Sequence, residues 1–446
     1  MGKEVPERFL DRVGLARRRE RILFILFAIP YLLAVIRRLI YVGRNSPLTN
    51  YGITEWLVDF SAGFVRRGLP GTLIRFAYDG FGVPPSLVAI MASLLLLLCF
   101  SIYLWRRSTG VLPRWALLTT PLLGFPIYVD WVLMKKDILI LLIFALCVRL
   151  VMVLPRRPVL AIGFSILLSI GILSHELIIF FGLPSLALML FFSVRENPGS
   201  SVQAGARAGS LPMFRPGLLL SCLMLPLGSA MAVLLRSGTI QQGKQISLAW
   251  RNTIPFTGTY LPPEGPSGAI SYIGQPSSVF IKENMAFLSS DVLGVPSWIY
   301  IVLMGLAGVF LLACVLGTKD KQRAWFFVVV SSVQFICMGP IFYMAMDVGR
   351  WVSICLLSAM IVTVESNSEL RSSVLCRIRL PHWLERVVVP AWVAPLGLAF
   401  WGMPIIFYKI GQIFDSSPVG GGLQAYHYLR LAGMPGPRQW LGGLGL

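Results

Sequence analysis

Apolar runs close to membrane-spanning length recur along this chain, separated by short breaks that hold most of its charges. Read as helices, they predict a first span at about 22–42 and a second at about 84–105, closed by Arg106 and Arg107. A third at about 115–128 leads to a short turn at 130–137. The fourth returns to Arg156 and Arg157, the fifth covers about 159–173, and the sixth covers about 177–194. After a Gly/Ser/Ala-rich linker at 195–216, spans follow at about 216–235, 298–316 and 325–344. A tenth returns to Glu365 and a last covers about 388–410. The expected fold is therefore an all-α polytopic membrane protein of about eleven spans. Its segments are a cytoplasmic N-terminus at 1–21 and a first transmembrane module at 22–194. The linker precedes a second module at 217–410, whose outer loop is 236–296, and an outer C-terminal tail at 411–446.

One stretch fits neither a span nor a solvated loop. Residues 54–71, TEWLVDFSAGFVRRGLPG, combine Glu55, Asp59, Arg66 and Arg67 with bulky apolar residues. If 57–69 is partly helical, Leu57, Phe60, Phe64 and Leu69 fall on a lipid-facing side, as in an interfacial segment with charges above it. The stretch then reads as an active-site loop at the membrane surface or as an anchor whose arginines snorkel.

Composition agrees with the pattern: 56% of the 446 residues are hydrophobic and 13% charged, against about 25% charged in soluble domains. A net charge of +19 would suggest nucleic acid in a soluble protein. Here it points to cytoplasmic loops and to membrane lipids or phosphate, with no nucleic acid expected. Residues 1–21 carry seven Lys or Arg, which keeps the N-terminus in the cytoplasm; the first run lacks a small-residue cleavage site, so no signal peptide is expected. The seven cysteines fall in spans or on the inner side on this topology, so no disulfide is expected.

That topology brings Asp59, Asp130, Asp137, His175, Glu176, Asp347 and Arg350 to one membrane face, while mid-span positions are nearly free of charge. Ionisable groups at span ends are costly unless they line a cavity or pair with each other. Each group has a plain alternative: Lys135, Lys136 and Asp137 as an interfacial turn, His175 and Glu176 as a hydrogen-bonded pair, Asp347 and Arg350 as an i,i+3 salt bridge. No zinc, Walker or dinucleotide motif is present, and no nucleophile elbow. The set suits transfer from a phosphate-linked lipid. Arg66, Arg67, Lys135, Lys136 and Arg350 can hold phosphate, and Asp347 lies beside them in the substrate-binding group. Asp59 is the first choice of general base, with Glu55 the rival. Asp137, His175 and Glu176 complete the catalytic candidates, and a divalent cation (Mg or Mn) on Asp130 or Asp137 can assist the leaving phosphate.

On these residues the first 200 positions resemble the GT-C superfamily of membrane glycosyltransferases that use polyprenyl-phosphate-linked sugars. That resemblance implies a cytoplasmic N-terminus, interfacial helices in the first outer loop, an essential Asp there (Asp59) and a second acidic position in the next loop (Asp130 or Asp137). The run Gly63-Phe64-Val65-Arg66-Arg67-Gly68-Leu69 is similar to membrane proteins of bacterial surface-polysaccharide clusters, which implies the inner membrane. The second loop has no Asp-x-Asp pair, and the chain has no large soluble C-terminal domain. The expectation is a glycosyltransferase moving a sugar from a polyprenyl-phosphate donor to a glycan or lipid-linked acceptor at the outer face. A repeat-unit polymerase or a lipid-linked oligosaccharide transporter are the alternatives.

Overall fold

The computed structural model describes residues 18–45, 50–123, 135–154, 159–195, 216–251, 268–289, 291–292, 295–317, 320–344, 347–376, 390, 392–402 and 416–431. These are helical apart from connecting turns and one hairpin of two-residue strands. In chain order they are α1 (Ile29–Asn45, entered through a π-helical turn at Phe24–Ala28), α2 (Asn50–Trp56), α3 (Gly68–Phe81), α4 (Pro85–Arg107) and α5 (Val111–Thr119). Next come α6 (Asp137–Val153), α7 (Leu160–Ser174), α8 (Leu177–Arg195), α9 (Pro216–Leu235), α10 (Ile240–Arg251), a 3₁₀ turn (Gly268–Tyr272) and α11 (Ser277–Leu288). After strands β1 (Asp291–Val292) and β2 (Val295–Pro296), the chain continues as α12 (Ser297–Gly317), α13 (Lys321–Cys337), α14 (Gly339–Met344) and α15 (Val348–Glu365). It closes with α16 (Ser368–Leu375), α17 (Val393–Phe400) and α18 (Pro418–Leu431).

Four of these helices are long and apolar enough to cross a membrane: α4, most of α9, most of α12, and α15. The shorter apolar helices α7 and α8 accompany them. The protein is thus a helical, membrane-embedded chain, as its apolar runs predict. Its centre is α15, buried on every side from Val348 to Thr363. A helix that is apolar all round has no solvent or lipid face to present; here Ser353, Ser358 and Thr363 return their hydroxyls to nearby carbonyls. Around it pack α6 and α13, and α6 in turn carries α7 and α8. The large outward-facing side chains of α4 and α9, such as Met91, Leu95, Leu220 and Met224, are exposed along the length of the helices. Such stripes belong against lipid.

Two stretches differ from their sequence reading. The expected outer loop at 236–296 contains α10 and the 3₁₀ turn, which fold over the 54–71 stretch, and α11, which packs on α14 through Asn284. Trp250 Nε1 donates to Leu57 O at 2.6 Å, Gln242 Nε2 to Ala62 O at 2.9 Å, and Ala269 N to Thr54 Oγ1 at 2.9 Å. Leu57, expected to face lipid, is therefore buried among Val65, Ile246, Trp250 and Ile273, and residues 57–67 are turns, not helix. The amphipathic helix comes next, as α3. Leu73, Phe76 and Phe81 are 62%, 70% and 75% exposed on it, at the spacing of a membrane-dipping face. The expected tail at 411–446 holds α18, which packs along α1. Gly422 lies against Pro30, where an added Cβ would sit 2.4 Å from a side-chain carbon, and Arg37 NH1 donates to Gln424 Oε1 at 2.6 Å. Small residues let helices approach this closely in apolar surroundings.

Candidate functional site

The described charges of the 54–71 stretch meet those of three other segments, 135–137, 175–176 and 347–350, at one end of the bundle. Helix α2 ends at Trp56, so Glu55 points inward from its last turn. The chain then turns back, and α3 begins against the same backbone. Gly71 makes this possible: an added Cβ would lie 2.0 Å from Val58 O. Thr72 Oγ1 fastens the return, accepting from Phe60 N at 3.0 Å and donating to Gly68 O at 2.9 Å.

Arg67, at the start of α3, has φ +65°, and among the described residues no other non-glycine residue has positive φ. The left-handed conformation costs about 1–2 kcal/mol and tends to persist where surrounding contacts over-determine it. Here it aims both ends of the residue. The guanidinium forks onto Glu176, Nε to Oε2 at 2.7 Å and NH2 to Oε1, the bidentate geometry that only arginine offers. The backbone oxygen accepts from Lys136 Nζ at 2.9 Å. Arg66 NH1 stands 4.0 Å from Glu176 Oε1 at the rim.

Below this fork lie Glu55 and His175, both buried. His175 ends α7 in extended backbone, and its Nδ1 accepts from Leu177 N at 3.2 Å. An accepting Nδ1 leaves the proton of a neutral ring on Nε2. That atom stands 3.2 Å from Glu55 Oε1, out of line for a full hydrogen bond, and Glu55 Oε2 has no hydrogen-bond partner among the described residues. Burial and then the Arg67 charge pull His175 down, so it stays neutral. Burial pushes Glu55 and Glu176 up. His175, Arg67 and Arg350 outweigh it at Glu55, and Arg67 and His175 at Glu176, so both carboxyls lie below their usual range. Lys136 has no exposed surface to speak of and lies 5.9 Å from the Trp56 ring; burial first, then Arg67, lowers it to about 7.

A second knot adjoins the first through Lys135, Lys136 and Asp137. Lys135 Nζ donates to Asp347 Oδ2 at 2.7 Å, which also accepts from Arg350 NH1 at 2.8 Å, the i,i+3 pair foreseen from the sequence. Arg350 binds both oxygens of Asp137, NH2 to Oδ1 at 2.6 Å and Nε to Oδ2. All but Asp347 are nearly inaccessible. Burial pulls Lys135 down, and Lys135 with Arg350 holds Asp347 low against its own burial. This is not the exposed interfacial turn the sequence also allows.

Across both knots, five basic groups (Arg66, Arg67, Lys135, Lys136, Arg350) face four carboxylates (Glu55, Glu176, Asp137, Asp347), an excess of one positive charge when both lysines are protonated, which an incoming anion promotes. Such a site favours an anion. It does not fit a cation at Asp137, whose two oxygens already take Arg350 beside Lys135. Among the described residues no group of three His, Cys, Asp or Glu is placed to hold a metal. Asp130 lies outside the described residues.

Asp59 is turned away from the cluster. Its Oδ1 accepts from Ser61 N at 2.9 Å and from Ser61 Oγ at 2.5 Å; its Oδ2 meets Arg75 Nε and NH2, each at 2.8 Å. Arg75 in turn lies 4.4 Å over the Trp250 ring. Arg75, Trp250 and Gln242 were not singled out by sequence reasoning. Arg75 alone left a trace there, as a single cation inside an apolar amphipathic helix sixteen residues after Asp59.

Comparison with protein-family models, with curated proteins and with solved structures finds no match.

Proposed function

We propose that the chain is a membrane-embedded glycosyltransferase that uses a polyprenyl-phosphate-linked sugar, with Glu55 as the base. The observation that carries this reading is Glu55 Oε2. It is a buried carboxylate oxygen with no hydrogen-bond partner among the described residues, directly beneath a two-arginine rim in a cluster with surplus positive charge. In the proposed reaction Arg66, Arg67 and Lys136 hold the donor phosphate. Glu55 Oε2 takes the proton of an acceptor hydroxyl, and the acceptor oxygen attacks the anomeric carbon. The carbon–oxygen bond to phosphate breaks, and its electron pair leaves with the polyprenyl phosphate, whose charge the same cations stabilise. Inversion at the anomeric carbon follows from a single displacement.

The ground-state charges suit this order of events. Together with His175, the Arg67 charge keeps Glu55 a weak base in the absence of donor. A bound phosphate offsets that cation, so Glu55 becomes a stronger base only when the donor is in place. The same anion returns Lys136 toward full charge, so donor binding takes up protons near pH 7. His175 backs Glu55, with its Nε2 3.2 Å from Oε1. Asp59, the base expected from the sequence, has both oxygens engaged and serves here to set the loop. We read the charge-rich end as the outer face of a bacterial inner membrane, with the basic N-terminus cytoplasmic and about eleven spans in all. A polymerase acting on lipid-diphosphate-linked repeat units would use the same cations and base, and product length separates the two.

The test is transfer of a labelled sugar from polyprenyl phosphate by the full chain in lipid nanodiscs. Glu55→Gln should lower kcat by about 10²–10⁴ with little change in donor KM, while Arg67→Lys should chiefly raise donor KM. Wild-type turnover in Glu55→Gln would remove the proposed base. If the wild type transfers from no polyprenyl-phosphate sugar and neither binds nor elongates lipid-diphosphate glycans, the whole reading fails.

A further inference from the structure

At the other end of α15 lies a cavity of about 390 Å³ to which none of the charge cluster contributes. Arg350 sits in the first turn of α15, Met360 borders the cavity ten residues on, and Val364, at its far edge, is fourteen residues on. The helical rise of 1.5 Å per residue puts Val364 about 21 Å from Arg350. Helices α5, α12, α13 and α15 supply the walls, together with the turn 108–110 after α4 and Arg19, Glu20 and Leu23 ahead of α1. The cavity is two-natured. Its floor is apolar, formed by residues such as Leu117, Leu316 and Met360, and its polar edge holds Arg19, Arg323, Ser108 and Thr109.

Two polar atoms there lack partners. Ser108 is 2% exposed and its Oγ makes no hydrogen bond among the described residues; Arg323 Nε is likewise buried and unpartnered. Asp320 Oδ2 stands 4.0 Å from that nitrogen, too far for a hydrogen bond, and Arg323 NH1 reaches Thr109 Oγ1 only at 3.5 Å. Glu20 is the one acidic group in the lining, against two arginines. Buried donors without acceptors cost free energy, which a ligand's oxygens would recover.

We propose that this cavity binds a phosphate-bearing amphiphile. The phosphate oxygens accept from Arg19, Arg323 and the Ser108 hydroxyl, and the adjoining hydrocarbon lies on the Leu117–Leu316–Met360 floor. A basic pocket between helix ends is the usual setting for an anionic headgroup. Its apolar floor distinguishes it from a site for free phosphate.

The test uses the full chain in nanodiscs of phosphatidylcholine with one-third phosphatidylglycerol, followed by native mass spectrometry of retained lipid. Wild type should retain phosphatidylglycerol over phosphatidylcholine. Arg19→Gln with Arg323→Gln should lower its apparent affinity about tenfold, and Ser108→Ala should lower it severalfold. Arg106→Gln, an exposed cation outside the cavity, controls for surface charge and should change nothing. Equal loss in the double variant and in Arg106→Gln, or loss in neither, overturns the site. Displacement by inorganic phosphate at concentrations comparable to the lipid would leave the apolar floor without a role and overturn the amphiphile. Arg19 is exposed, so its single variant keeps the test available if Arg323→Gln misfolds.

Discussion

Lys136 offers the sharpest separation of a functional cluster from a structural one, because its burial should make the protein less stable. The ammonium is buried, its one described acceptor is Arg67 O, and its pKa falls to about 7 from 10.5. A lysine whose folded value lies below its unfolded value binds fewer protons folded than unfolded between the two. Stability from this group is therefore lowest below pH 7, rises with pH through the window from about 7 to 10.5, and is unpenalised above it. The span of the shift corresponds to roughly 5 kcal/mol.

Replacing Lys136 with Met keeps the apolar stem and removes that penalty. Against the gain stand the lost hydrogen bond to Arg67 O, about 1–3 kcal/mol if that oxygen stays buried, and the contact with the Trp56 face, about 0.5–1 kcal/mol. The net expectation for Lys136→Met at pH 6 is stabilisation of about 1–3 kcal/mol. Scaled to a chain of this length, that is a rise of a few degrees in Tm. By pH 9–10 the difference should vanish or reverse, since the wild-type lysine is then neutral when folded. Tm in nanodiscs from pH 6 to 10, with transfer activity measured alongside, checks both. A variant that is more stable at pH 6 yet defective in donor binding marks a residue kept for function at a cost in stability. A Tm difference that does not change with pH would refute the lowered pKa, and lower stability at every pH would make Lys136 a structural tie.

Two further outcomes concern the loop that carries the cluster. Asp59→Asn should cost about 2–3 kcal/mol, discounted from a fully buried pair because Arg75 is about a fifth exposed; adding Arg75→Gln should recover part of it, with turnover per folded molecule within severalfold of wild type, whereas a base at Asp59 would show lost turnover at unchanged Tm. Gly71→Ala should destabilise by several kcal/mol or block folding, since its Cβ meets the Val58 carbonyl at 2.0 Å; an Ala variant with wild-type Tm would show that α3 can move off the 56–58 backbone.

The class of the protein and the meeting of Lys135, Lys136, Asp137, His175, Glu176, Asp347 and Arg350 were legible for one reason. Apolar runs set where helices end, and helix ends on one side of a bilayer share a plane. His175 and Glu176 follow α7, Lys135 to Asp137 open α6, and Asp347 and Arg350 open α15. Where the apolar runs end was enough to bring them together. Less was legible within the loop. Glu55 and Asp59 are four apart and would share a face only if the helix continued. It ends at Trp56, and the following turns send the two carboxylates to different arginines, Glu55 toward Arg67 and Asp59 to Arg75. The 236–296 segment misled by its composition, rich in residues that favour turns. Its helical signal was short: Gly243, Ile246, Ser247 and Trp250 form one buried face of α10, a three-four spacing too brief to stand out beside twenty-residue apolar runs. Likewise the three glycines at 420–422 lie in what reads as an outer C-terminal tail. Only the partner helix, with Pro30 at the contact, turns their lack of side chains into a packing surface.

The choice between Glu55 and Asp59 is therefore a statement about charge neutralisation, which sequence distance does not encode. Asp59 meets its cation through two contacts at 2.8 Å and fills its other oxygen with Ser61; nothing is left for a substrate to complete. Glu55 touches Arg67 only at 3.5 Å, because that guanidinium is already forked onto Glu176. One arginine shared unequally between two carboxylates leaves the lesser partner with an empty oxygen and a field that an incoming anion can cancel. Removing the competitor should shift that balance. With Glu176→Gln, Arg67 is free to close on Glu55, which would satisfy Oε2 and hold the carboxyl lower still. A rim residue that never touches the acceptor would then govern the strength of the base beneath it.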